Sequence, residues 1–136
     1  MPEKMLTPKI ISLAQAIAEY EGWHPATSLF SKVEGGSVAY RNHNPGNLRS
    51  SIFALGTRDG FAVFYNDSTG FFAMCFDIML KAQGKTTTRL TPDSPLKDFI
   101  AVWSAGTPEA VEKYTYFVCN RTRFLPEMKL KELLTN

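Results

Sequence analysis

Two cysteines and two histidines in 136 residues leave little material for a metal centre. Cys75 and Cys119 lie far apart, without the short spacing of metal-ligand pairs, so both are expected as free thiols packed in the interior. His24 and His43 are the only histidines, and a Cys/His site would have to be assembled across the whole chain; no metal and no cofactor are expected. Nowhere do about 18 apolar residues run together, which excludes a readable membrane span. The start, MPEKMLTPK, has lysines, but Gln15, Glu19 and Glu21 interrupt the apolar residues behind it, so no export signal is visible. A net charge of +2 is too weak for a nucleic-acid footprint without a clustered basic face, yet it suits an anionic polymer as partner. Repeats, low-complexity tracts and linkers are also missing. Residues 1–136 therefore read as one domain of the α+β class, mainly helical with a small β-hairpin.

What is present is a series of helix signals. A first helix is predicted to start after Thr7, with Pro8 in its first turn, and to stop at Gly22. From Trp23 to Gly46 the pattern dissolves into Gly, Pro, Ser and Asn, a loop long enough to suggest function. LRSSIFAL and GFAVFYN read as two short strands joined by GTRDG. A second helix is predicted from near Ser68 to Gly84, packing through Phe72, Cys75, Phe76, Met79 and Leu80. Ser94-Pro95 and Thr107-Pro108 each read as a hydroxyl cap followed by proline at the first helical position. The helices behind them are predicted to pack through Phe99, Val102 and Trp103, and through Val111, Tyr114, Thr115 and Val118. A closing helix is expected from about Pro126 to Leu134.

The first helix contains an anomaly. At about 100° per residue, Ile10, Leu13, Ala14, Ile17 and Ala18 make one apolar stripe. Glu19 lies roughly 200° from Ile17 and faces water, whereas Glu21 lies only about 40° from it, inside the stripe. A carboxylate there, at the lip of a long loop, is poorly solvated, which favours its protonated form. Such a group suits a general acid, the donor a glycosidic oxygen needs when its bond to the sugar breaks. The bland alternative is that Glu21 turns to solvent or pairs with an arginine.

Residues 41–49 read RNHNPGNLR. Asn44-Pro45-Gly46-Asn47 fits a type II turn, with proline second and glycine third. A turn does not need the surrounding density of polar groups, however. Arg41, Asn42, Asn44, Asn47 and Arg49 together can hydrogen-bond the hydroxyls and N-acetyl groups of a sugar chain.

These stretches carry a resemblance. AIAEYEGW, RNHNPGNLR, FAVFYNDSTGFFAM and, more weakly, VWSAGTPEAVEKYTYFV are similar to the phage and bacterial lysozyme-like transglycosylase family, which includes virion-associated peptidoglycan-cleaving proteins. The resemblance implies a lysozyme-like fold and cleavage of peptidoglycan glycan strands, with virion or secretion components as further partners. It also implies Glu21 as the catalytic acid, the asparagine-rich turn beside the cleft, and Tyr114 reaching the site from a later helix. Two departures stand out. His43 occupies a position where the pattern has asparagine, and residues 27–40 lengthen the connection between acid and turn. That insertion brings Glu34, which with Asp59 and Asp67 is a candidate second carboxylate for hydrolysis by inversion. The alternatives are therefore a single-acid transglycosylase, a two-carboxylate lysozyme, and a glycan-binding or virion structural module without turnover. Trp23 and Phe30 could face sugar rings or belong to the core.

Overall fold

The structure, a computed structural model, describes residues 7–22 and 38–136. Expectations for Trp23, His24, Phe30, Glu34 and most of the 27–40 insertion lie outside the described residues. The elements run α1 (Pro8–Tyr20), α2 (Val38–Arg41), β1 (Gly56–Arg58), β2 (Phe61–Val63), α3 (Asp67–Ala82), α4 (Leu96–Ser104), α5 (Pro108–Thr122) and a closing 3₁₀ helix (Leu130–Leu134). This is a mainly helical α+β arrangement with a two-stranded antiparallel sheet. The chain gathers into two compact units, Met1–Ala16 with Cys75–Asn136, and Ile17–Met74.

The first unit holds the start of α1, most of α3, and the helices that follow. Thr7 starts α1 as expected: its Oγ1 accepts the Ile10 amide at 3.1 Å and donates to the Leu133 carbonyl at 2.6 Å. One hydroxyl thus caps a helix and ties it to the last helix of the chain. Thr7→Ala is expected to cost about 1–2 kcal/mol, read as a fall of roughly 3–8 °C in Tm. Thr107 caps α5 in the same way, accepting from the Ala110 amide at 3.2 Å, with Pro108 in the first turn.

Ser94 does not cap α4. Its Oγ accepts instead from the Thr91 amide at 2.9 Å, and Pro95 is the residue that precedes the helix. The amides of Leu96 and Lys97 donate to the carbonyls of Met128 (2.7 Å) and Pro126 (2.9 Å). A distant segment thus supplies the acceptors that a local cap would otherwise provide. The same bonds shorten the closing helix, which by sequence begins at about Pro126. With the carbonyls of Pro126 and Met128 already taken, and the Leu130 and Lys131 amides donating to Ser94 and Pro92, only Leu130–Leu134 coil, as a 3₁₀ turn.

Helix α4 buries Leu96, Phe99 and Ile100, and α5 buries Tyr114, Thr115 and Val118. Phe99 is thus confirmed, whereas Val102 and Trp103 are only half-buried. On α3 the buried stripe is Ala73, Met74, Cys75, Ile78, Met79 and Ala82, with Phe72, Phe76 and Leu80 at its half-buried edge. The stripe is rotated from the predicted one, centring on Met74, Cys75, Ile78 and Ala82. Cys75 and Cys119 are free thiols. Burial pushes the Cys75 thiol up to about 12 and raises Cys119 as well. Cys75 is therefore inert toward thiol reagents at neutral pH until the unit opens.

In the second unit the hairpin differs from its prediction. GTR is not turn but strand, pairing Gly56 with Val63, Thr57 with Ala62 and Arg58 with Phe61. The turn is the two residues Asp59-Gly60, both left-handed at φ 56° and 83°, the arrangement whose twist matches that of a hairpin. LRSSIFAL stays irregular. Leu48, Phe53 and Ala54 pack on buried Ala62, Phe64 and Ala73 without a strand, whereas Ile52 and Leu55 stay exposed.

Candidate functional site

The end of α1 presents the two acids differently. Glu21 lies one residue past the helix, yet its amide still donates to the Ile17 carbonyl at 2.8 Å. Gly22 follows at φ 77°, the left-handed residue that ends the coil. Glu19 is exposed and Glu21 half-buried, in line with the angular argument. Glu21 belongs to the unit that also contains the asparagine-rich turn.

That turn is closed by the Asn47 amide donating to the Asn44 carbonyl at 2.9 Å. It is not type II. Gly46 has no positive φ; the left-handed residues are instead the flanking His43 and Asn47, both at φ 53°. Asparagine tolerates that conformation better than most residues, which explains Asn47 without invoking a ligand. Asn44 is fully buried, and its side chain is spent on the main chain. Nδ2 donates to the carbonyls of Leu48 (2.8 Å) and Ala62 (3.0 Å), while Oδ1 accepts from the Leu48 amide at 2.9 Å. Asn44 therefore staples the turn to β2. An aspartate could not donate the first two bonds, so Asn44→Asp is expected to cost about 2–4 kcal/mol, measured as a lower urea midpoint.

Asn42 is 2% exposed and works differently. Its Oδ1 accepts two bonds from Arg58, Nε at 3.0 Å and Nη2 at 2.7 Å. Its carbonyl accepts from the Phe64 amide at 2.9 Å. Asn42 Nδ2 and Asn47 Oδ1 are buried without a hydrogen-bond partner among the described residues. Each such orphan costs roughly 1–3 kcal/mol, which calls for a reason beyond turn formation.

Helix α3 meets the turn backbone to backbone. Asn66 Oδ1 caps it, accepting from the Thr69 amide at 2.8 Å, and Gly70 in its first turns lies against the His43 carbonyl. Asp67, at the start of α3, takes the His43 Nδ1 at 2.8 Å. Of the candidate second carboxylates, Asp67 is thus engaged by a histidine, Asp59 sits exposed at the hairpin turn, and Glu34 lies outside the described residues.

Three arginines surround this framework. Arg41 is exposed at the end of α2, and its carbonyl accepts from Arg58 Nη2 at 3.3 Å. The Arg49 guanidinium lies 4.7 Å from the centre of the Phe61 ring. Arg58 is inconspicuous in the sequence, where GTRDG reads wholly as a turn. The Asp-Gly pair, taken as a two-residue turn, would have put Arg58 at a strand end. Tyr114 belongs to the other unit, where it is 3% exposed on α5.

That other unit also carries an apolar groove of about 810 Å³, between α4 and α5, lined by Ala101, Val111, Tyr116, Phe124 and Leu125 among others. None of the predicted site residues lines it. Among the described residues no helix is long and apolar enough to cross a membrane, and no cluster of three or more metal-ligating side chains occurs. The chain matches no protein family, and no curated protein or solved structure is similar to it at a significant level.

Proposed function

We propose that this protein has a lysozyme-like fold and cleaves the glycan strands of peptidoglycan, acting as a lytic transglycosylase with Glu21 as its single catalytic acid. The observation that carries this reading is the half-buried Glu21 at the end of the first helix, in one compact unit with the asparagine–arginine turn. In its acid form Glu21 donates its proton to the oxygen of the leaving sugar as the glycosidic bond breaks. The substrate's own N-acetyl oxygen stabilises the positive ring, so no second carboxylate is required. The resulting glutamate then removes the proton of the C6 hydroxyl, whose oxygen closes on C1 to give a 1,6-anhydro end. Glu21 leaves the cycle protonated, as it entered. Arg41 and Arg49, both exposed, line the sugar chain in this reading, and the buried or half-buried Asn42, Asn44 and Asn47 shape the turn that presents them.

Mass spectrometry of products from purified sacculi tests the chemistry. Anhydro ends support transglycosylation. Reducing ends, heavier by one water, would replace it with hydrolysis and bring a second carboxylate into play. Absence of any cleavage, with glycan still bound, would reassign the protein as a binding or virion structural module.

A further inference from the structure

The register of the hairpin separates its two faces. Ala62 and Phe64 point into the core of their unit, so Phe61, and Arg58 paired opposite it, belong to the other face. Arg49 covers the Phe61 ring there. Arg58 reaches from this face to the carbonyl of Arg41. The Arg58 and Arg49 side chains thereby share one face of the hairpin, with the main chain of Arg41 at its edge.

None of the three has an ion-pair partner among the described residues. Asp67, a nearby acid of the same unit, is taken up by His43. What holds Arg58 is neutral: the Asn42 amide oxygen, on Nε and Nη2, and the Arg41 carbonyl, on Nη2. Neutral oxygens orient the planar fork without cancelling its charge, and they leave Nη1 unused. A carboxylate in place of Asn42 would have held the fork equally well and neutralised it. The buried Asn42 Nδ2, without a partner among the described residues, is the cost the fold bears for this arrangement. An oriented guanidinium without an ion-pair partner among the described residues, on the same face as the exposed Arg49, matches an incoming planar anion.

We propose that this face, Arg58 with Arg49, is a binding site for the carboxylates of peptidoglycan peptide stems. The proposal rests on the reading of the polymer given above, and it adds that the stem, not only the sugar chain, is recognised. Neutral sugar hydroxyls do not require two positive charges that have no ion-pair partner among the described residues, whereas the stem carboxylates are carried on the same polymer as the glycan.

The test compares binding of the full chain, at low ionic strength, to a disaccharide-tetrapeptide with free carboxyl groups and to the same molecule with those groups amidated. Amidation is expected to weaken binding about tenfold, and 0.5 M salt to erase most of that difference. Arg49→Gln, at an exposed position, is expected to reduce the preference to roughly threefold. Arg58→Gln is expected to abolish it, and Arg58→Lys not to restore it, because an ammonium cannot take the two-bond grip of Asn42. Equal affinity for free and amidated stems would overturn the proposal. So would a glycerol-phosphate polymer displacing a stem whose own amidation makes no difference. Cleavage of sacculi with no dependence on amidation would remove this site and leave the enzyme intact. Carboxylate-dependent binding of the free tetrapeptide without any cleavage would keep the site and remove the enzyme.

Discussion

Replacing Gly70 with alanine is expected to cost about 3 kcal/mol or more, a large fraction of the roughly 5–15 kcal/mol that stabilises a domain of this size. A methyl group at this position would overlap the His43 carbonyl oxygen and sit 3.0 Å from Pro45 Cδ. The obstacle is backbone, which cannot swing aside as a side chain can, and it belongs to a turn already pinned by Asn44. Either α3 backs away, exposing Ala73 and Met74, or the turn moves and the bonds between Asn42 and Arg58 stretch. Urea unfolding measures the loss, and faster labelling of Cys75 reports whether the opening spreads into the other unit. Gly56→Ala is the matched control. It meets nothing within 4 Å and should stay within about 0.5 kcal/mol of the natural protein. A Gly70→Ala protein as stable as that control would mean that helix and turn do not meet as described.

The second large effect falls on rate. Glu21→Gln keeps the size and polarity of the side chain but removes the proton it can give and the base it becomes. Release of soluble fragments from sacculi is expected to fall about 10²–10⁴-fold, with Tm nearly unchanged. Glu19→Gln, two residues away and exposed, should cleave at the natural rate. The contrast between neighbours isolates geometry from general loss of negative charge. Loss of less than tenfold in Glu21→Gln would take the acid role away from this residue.

Both predictions draw on features of different legibility. Glu21 stands out in the sequence because helical periodicity is local: thirteen residues of α1 suffice to place it on the apolar side. The cost of Gly70→Ala is invisible there, since it depends on a carbonyl 27 positions earlier in the chain. Arg58 lies between these cases. Its strand could have been inferred from the Asp-Gly turn, but its grip on Asn42 could not.

The amino-acid sequence by itself determined the elements whose causes lie within a turn or two: α1 and its stripe, the hydroxyl caps at Thr7 and Thr107, the left-handed stop at Gly22, and the different exposure of Glu19 and Glu21. Tertiary structure alone decided which acceptors serve α4, why Asn44 reaches Ala62, and that Arg58 is held by an amide rather than an acid. The physical reason is one of range. Dihedral preference and periodicity act between near neighbours along the chain, whereas a buried donor or acceptor takes whichever partner the folded backbone brings within 3 Å.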